Sequence, residues 1–284
     1  MVESALPLVG WGLLVTGGGT GIGQACARRL AADGATVTIC GRTESRLQSA
    51  AEELEGLAGP VRHVVADVTR EEDVINAIAA AQSVTGTLKG VVANAGGGGG
   101  LGPYHRQDVA EYRRVLELNV IGTMLCIKHS VPQMVSAGGG SFVGVSSVAG
   151  TLTHRVFGAY PVAKAAIDHM MRNAADEYGP VGIRFNSVQP GFVATEIMEG
   201  VPRDGAVFES YVANTPLGKI AEPAEVADVV RFLIGTESRA VTGESIAVDG
   251  GHHLRAGPDW RSYTGLSDDD LLARAPSDRG VPQA

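Results

Sequence analysis

Residues 13–23 read LLVTGGGTGIG. Leu13, Leu14 and Val15 form a short apolar run closed by glycine, which predicts a buried strand. A helical pattern opens at Thr20 and runs to Asp33, where Gly34 ends it. Between the two lies a turn suited to a dinucleotide. Glycine has no Cβ, so Gly17, Gly21 and Gly23 let the backbone turn tightly and approach a pyrophosphate. The start of the helix, with Thr20 and Ile22 among the glycines, offers unpaired N–H groups and the positive end of a dipole. The spacing is GxxxGxG rather than GxGxxG. The weight of the reading therefore rests on the strand–turn–helix context.

Outward from this turn the same alternation continues. Further strands are expected at Ala35–Cys40, Val61–Ala66, Gly90–Ala93, Ser141–Val145, Gly182–Val188 and Ser245–Val248. Helical patterns separate them at Glu44–Leu57, Glu71–Val84, Gln107–Val135, Gly158–Tyr178 and Glu222–Ile234. Strands alternating with helices predict an α/β fold, a parallel sheet covered on both faces. Residues 1–251 read as one domain and residues 252–284 as a polar C-terminal extension holding Pro258, Pro276, Pro282 and Trp260. Gly96–Gly100 follows the fourth strand, at the carboxyl end where such sheets bind ligands. Residues 191–216 are a long connection with Phe192, Val193, Ile197, Met198, Val201, Val207, Phe208 and Tyr211. These side chains either line a bulky apolar substrate site or fill the core.

The tip of the second strand bears on the choice of dinucleotide. A carboxylate there would bind the adenosine 2′-hydroxyl of NAD. This chain has Cys40-Gly41-Arg42, and a guanidinium pairs with a 2′-phosphate. NADP(H) is therefore favoured over NAD(H). The alternative is that Arg42 only stacks or meets solvent. Asp67-Val68 ends the third strand, where Asp67 is either an acceptor for the adenine amino group or a solvated acid.

Residues 144–164 carry the chemistry: GVSSVAGTLTHRVFGAYPVAK. Tyr160 and Lys164 share one face of a helix. An ammonium beside a phenol favours phenolate, which lowers the phenol toward the working range. Tyr160 is then fit to exchange a proton with a substrate oxygen. Ser147 is placed to hold that oxygen, and Asn119 to anchor a water beside Lys164. Only four lysines occur, Lys89, Lys128, Lys164 and Lys219, so a functional lysine has few candidates.

TGGGTGIG, Asp67-Val68, ANAG at Ala93–Gly96, Asn119, Ser147, YPVAK, QPGFVAT at Gln189–Thr195 and VDGG at Val248–Gly251 together resemble the short-chain dehydrogenase/reductase family. The resemblance runs from about Leu13 to Gly251. It implies a single-domain Rossmann fold, doubly wound on a seven-stranded parallel sheet, and a homotetramer. It implies a catalytic tetrad of Asn119, Ser147, Tyr160 and Lys164, with Lys164 also reaching the nicotinamide ribose. Asn94, Ala95 and Gly96 would line the adenosine-ribose side. Thr195 would bind the carboxamide, beside Pro190, Gly191 and Val193. The implied activity is hydride transfer between a nicotinamide dinucleotide and a secondary alcohol or ketone. Reduction of an activated C=C bond and a non-catalytic dinucleotide-binding scaffold are the alternatives. The glycine run after ANAG is longer than the family usually has, and the extension beyond Gly251 lies past the usual family end.

Composition narrows the rest. The chain is 44% hydrophobic and 19% charged, with a net charge of −8. A general nucleic-acid or anionic-membrane binder needs concentrated positive charge instead. No long apolar run or basic leader is seen, so no membrane span or signal peptide is expected, and the cytoplasm is. Cys26, Cys40 and Cys126 read as reduced core thiols, no metal motif is present, and His252 and His253 are expected at the surface.

Overall fold

The computed structural model describes residues 6–270 apart from residues 199, 256, 258, 259 and 268, and the side chain of residue 197. Pro258, Pro276 and Pro282 of the extension lie outside the described residues.

The strands are β1 Gly12–Thr16, β2 Thr36–Gly41, β3 Val61–Val65, β4 Gly90–Ala93, β5 Gly140–Val145, β6 Ile183–Pro190 and β7 Ser245–Val248. They form one sheet in the order β3-β2-β1-β4-β5-β6-β7. Every neighbouring pair is parallel. Along β1, successive side chains point to opposite faces. Leu13 and Val15 enter one core with α1 (Gly21–Ala32) and Pro223–Ile234. Leu14 enters the other, with α3 (Glu71–Ser83) and residues of 122–136 and 159–178. Both faces are covered, which is why the run is apolar throughout rather than alternating.

The order of connections reverses between β1 and β4. Chain leaving β1 builds outward to β2 and β3, and chain leaving β4 builds the other way. The crevice at that switch point, beyond the carboxyl ends of the strands, is the natural ligand position.

Two helical expectations change. The stretch expected as one helix over Gln107–Val135 is α4 (Val109–Leu116), a π-helical turn at Glu117–Ile121, and α5 (Gly122–Ser136). Asp108 caps α4 by accepting from the Ala110 N–H at 2.8 Å. The connection over 191–216 holds a helix of its own, α7 (Ala206–Asn214), lying between α6 (Ala159–Tyr178) and α8 (Pro223–Ile234). Helix α2 (Glu44–Glu53) follows β2, and a short helix α9 (Arg261–Thr264) lies in the extension.

The extension folds onto its own chain. Trp260 is 4% exposed and packs with Val156, Phe192, Val201, Val207 and Tyr211. His252 is buried rather than at the surface, its ring 5.2 Å from that of Tyr211. Among the described residues no helix is long and apolar enough to cross a membrane.

Candidate active site

The glycine turn is a cradle that side chains would fill. A Cβ on Gly23 would stand 2.2 Å from the Gly17 carbonyl oxygen, and one on Gly17 would meet the Asn94 amide at 2.8 Å. Gly17 and Gly21 have φ of 65° and 53°, which other residues adopt at a cost. The first turn of α1 carries no acid to repel a phosphate. These residues fit a dinucleotide pyrophosphate.

Asn94 and Thr16 hold the cradle against β4. The Asn94 amide donates to the carbonyls of Thr16 and Gly17 at 3.0 and 3.1 Å. The Thr16 hydroxyl accepts from the N–H groups of Asn94 and Ala95 at 3.0 and 2.9 Å. Thr16 is a positioning residue the sequence reading passed over. Its signal is a hydroxyl on the last strand residue before the glycines.

Arg42 is exposed immediately after β2. Asp67 is occupied locally, accepting from the Thr69 N–H and hydroxyl at 3.0 and 2.8 Å. Val68 is buried in the core, and a Cβ on Gly122 would be 2.8 Å from it. Thr195 packs against the cradle, its methyl 3.1 Å from a Cβ built on Gly21. Ile22, Pro190, Gly191, Val193 and Thr195 all line the central cavity.

Ser147, Tyr160 and Lys164 line this cavity, and Asn119 lies behind Gly96 of the same wall. Ser147 follows β5, and its hydroxyl accepts from the Ala149 N–H at 3.2 Å. It also donates a long bond, 3.5 Å, to the Pro190 carbonyl. Lys164 is 4% exposed and donates to the Val145 carbonyl at 2.8 Å. Its Nζ lies 5.4 Å from the centre of the Tyr160 ring. Asn119 is fully buried in the π-helical turn, where the main-chain ladder is interrupted. Its amide donates to the carbonyls of Val115 and Gly97, both at 2.8 Å.

Gly96 closes the group. A Cβ there would be 2.6 Å from Asn119 Oδ1 and 3.2 Å from Lys164 Nζ. The first glycine of the long run is thus a close approach between loop, amide and ammonium. Gly97 and Gly98 continue along the cavity.

Burial sets the charges. It pushes the Tyr160 phenol above its ordinary value, while a hydrogen bond with Ser147 pulls the other way. It also brings Lys164 down to about 8, opposed by the nearby Asp168 carboxylate. The expected lowering of Tyr160 by Lys164 is therefore not seen in the protein by itself, where burial is the largest effect. The low dielectric that strengthens a charge pair also penalises forming the phenolate. Asp168 itself is buried and accepts from Ser187 and Gln189, each at 2.7 Å.

The cavity measures about 400 Å³ and opens from the tetrad onto Phe157, Phe192, Tyr211 and Trp260. Phe157 is a wall residue the sequence reading missed. It stands three positions before Tyr160, and its ring centre is 5.2 Å from that of Tyr160. It is delivered by a strained loop. Val156 has φ 58°, a rare conformation for a β-branched residue, and its carbonyl accepts from the Gly102 N–H at 2.7 Å.

A group that trades protons with an oxygen, set beside a dinucleotide cradle, is what reversible oxidation of an alcohol requires. The protein is an NAD(P)-dependent oxidoreductase acting on CH–OH and C=O groups. A family model described as enoyl-(acyl carrier protein) reductase matches residues 17–253. Cis-4-hydroxycyclohexanecarboxylate dehydrogenase of Sinomonas cyclohexanicum is 38% identical over 84% of this chain and 95% of that enzyme. Cyclohexanol dehydrogenase of Acinetobacter sp. is 32% identical over 84% and 93%. A solved short-chain type dehydrogenase/reductase from Mycobacterium ulcerans is 41% identical, with a TM-score of 0.91 over 93% of this chain and 98% of that one. The chain belongs to the short-chain dehydrogenase/reductase family.

Proposed function

We propose that this enzyme interconverts a cyclic secondary alcohol and its ketone with NADP(H). The observation that carries the reading is the cavity itself: an aromatic-walled space of about 400 Å³ with Ser147 and Tyr160 in its lining. Its volume suits a small ligand, and its flat walls suit a ring. The two ring-alcohol dehydrogenases among the relatives support the same class of substrate. A carbonyl site with two hydroxyl groups also favours this over reduction of a C=C bond, which presents no oxygen at the reacting carbon.

In the proposed mechanism, the Ser147 hydroxyl exchanges its long bond to Pro190 for the substrate oxygen. Tyr160 gives its proton to that oxygen in reduction and takes it back in oxidation. Lys164, charged and fixed on the Val145 carbonyl, steadies the phenolate that remains. Asn119 and Gly96 hold the Lys164 ammonium in place and open a path for returning the proton. The dinucleotide, when bound, supplies or accepts the hydride. Gly17, Thr20, Gly21, Ile22 and Gly23 would hold its pyrophosphate, and Asn94, Ala95, Gly96, Asp67 and Val68 its adenosine side. Pro190, Gly191, Val193 and Thr195 would hold its nicotinamide side, with Tyr160 and Lys164 at the ribose. The exposed guanidinium of Arg42, with no acid at the tip of β2, supports NADP(H).

The enzyme is further proposed to be a cytoplasmic homotetramer. Its three cysteines are buried and free, which suits a reducing compartment. On the two long helices α5 and α6, Ile127 and Ile167 are buried in the chain's own core. Met124 on α5 remains exposed, as does Val162 on α6. Turnover of cyclohexanol, linear secondary alcohols and an enoyl thioester with each dinucleotide tests the reading. A rate confined to the enoyl substrate would overturn it. Light scattering that returned a monomer would overturn the assembly.

A further inference from the structure

Tyr211 is a polar group of the cavity wall for which proton transfer has no use. It sits on α7, is 5% exposed, and lines the same cavity as Tyr160. Its ring is clamped. Phe192 meets it edge-on at 4.8 Å and Trp260 at 6.4 Å, and the His252 ring is 5.2 Å away. The Thr215 hydroxyl donates to its main-chain carbonyl at 2.7 Å. A side chain held from so many sides presents its hydroxyl at a fixed point.

That hydroxyl is poised to donate. The Trp260 indole N–H approaches its oxygen without reaching full hydrogen-bond geometry, and has no other acceptor among the described residues. An N–H facing that oxygen, even at a distance, turns the phenol's own proton elsewhere. Burial raises the phenol well above its ordinary value, so it stays neutral and protonated. Among the described residues it makes no full hydrogen bond. Along the wall, Tyr160 packs on Phe157 at 5.2 Å, Phe157 stacks on Trp260 at 4.7 Å, and Trp260 meets Tyr211. Phe157 and Trp260 thus link the two phenols along one wall, and a ring substrate lying along it reaches toward Tyr211.

We propose that Tyr211 donates a hydrogen bond to a second oxygen of the substrate, carried on a ring carbon other than the reacting one. The preferred substrates are therefore rings with two oxygen functions, such as diols and hydroxyketones. A plain ring would leave the hydroxyl buried against hydrocarbon, which costs binding. This inference rests on the ring-alcohol reading above.

The test compares kcat/KM for cis- and trans-1,4-cyclohexanediol with that for cyclohexanol, in wild type and Tyr211→Phe. The wild type should prefer at least one diol, and the ratio of diol to cyclohexanol should fall about tenfold in the Phe variant, the worth of one hydrogen bond. A wild type indifferent to the second oxygen would overturn the proposal without using the variant. An unmoved ratio in a folded Phe variant would overturn it as well. Failure of the wild type to turn over any ring alcohol, while it oxidises linear ones, would instead overturn the ring reading, and this proposal with it.

Discussion

Gly96→Ala tests whether the close approach at the end of β4 assembles the proposed tetrad. The added Cβ would lie 2.6 Å from Asn119 Oδ1, where ordinary contact begins at 3.4 Å. One of the two must retreat by about 0.8 Å, the difference between those values. Asn119 has nowhere easy to go. It is fully buried, and its amide is tied to the Val115 and Gly97 carbonyls at 2.8 Å. Losing one of those bonds inside the protein costs about 1–3 kcal/mol. For a chain of this size that is a fall in Tm of roughly 2–5 °C. The same displacement reaches Lys164, 3.2 Å from the new methyl. Misplacing a catalytic group by close to 1 Å costs up to about 10²-fold in rate. The expected outcome is a folded protein with kcat for the ring alcohol down roughly ten- to a hundredfold. The turn over residues 17–23 is untouched, so the dinucleotide should still bind, read by fluorescence titration, with any loss of affinity smaller than the loss in kcat. A kcat within twofold of wild type would refute the reasoning.

Other outcomes follow from the same geometry. Tyr160→Phe should lower kcat by ~10²–10⁴-fold with dinucleotide binding retained; near-normal turnover by the purified variant would sink the proton-donor role. Arg42→Ala should shift preference from NADP(H) toward NAD(H) by roughly ten- to a hundredfold, from the loss of a charged hydrogen bond. A wild type that already prefers NAD(H) would show that the guanidinium does not read the phosphate. Lys164 stands at about 8, and ketone reduction needs it protonated. Log kcat/KM for reduction should therefore hold below that pH and fall as pH rises through it; a profile flat to pH 10 would remove the ammonium from the mechanism. Truncation after Gly251 strips Trp260 and Tyr263 from the cavity wall and should raise KM for ring alcohols. Unchanged KM and kcat in the truncated enzyme would make the extension irrelevant to the site.

The sheet was legible in sequence because its signals are local. Leu13-Leu14-Val15 followed by glycine needs no distant partner to be read as a buried strand and a turn. Tyr160 and Lys164 were legible for the same reason, since four residues on a helix fix a shared face. What failed to show depended on distance. The helix over Gln107–Val135 carries no proline or glycine signal at Glu117–Ile121, yet a π-helical turn forms there around Asn119. The purpose of Gly96 appears only when β4, the π-helical turn and α6 converge, because its missing Cβ makes room for atoms of Asn119 and Lys164, more than twenty and sixty residues away. The extension read only as polar; the structure packs its Trp260 onto Phe157 of the same chain. The direction of the Tyr160 shift likewise belonged to the tertiary structure. A lysine at i+4 predicts a lowered phenol, but burial depends on everything packed around it, and here burial is the larger effect. Sequence determined the sheet and the glycine turn, and singled out the proposed proton-handling residues, through short-range patterns. Packing between distant segments decided their environment, the cavity wall and the place of Tyr211 on it.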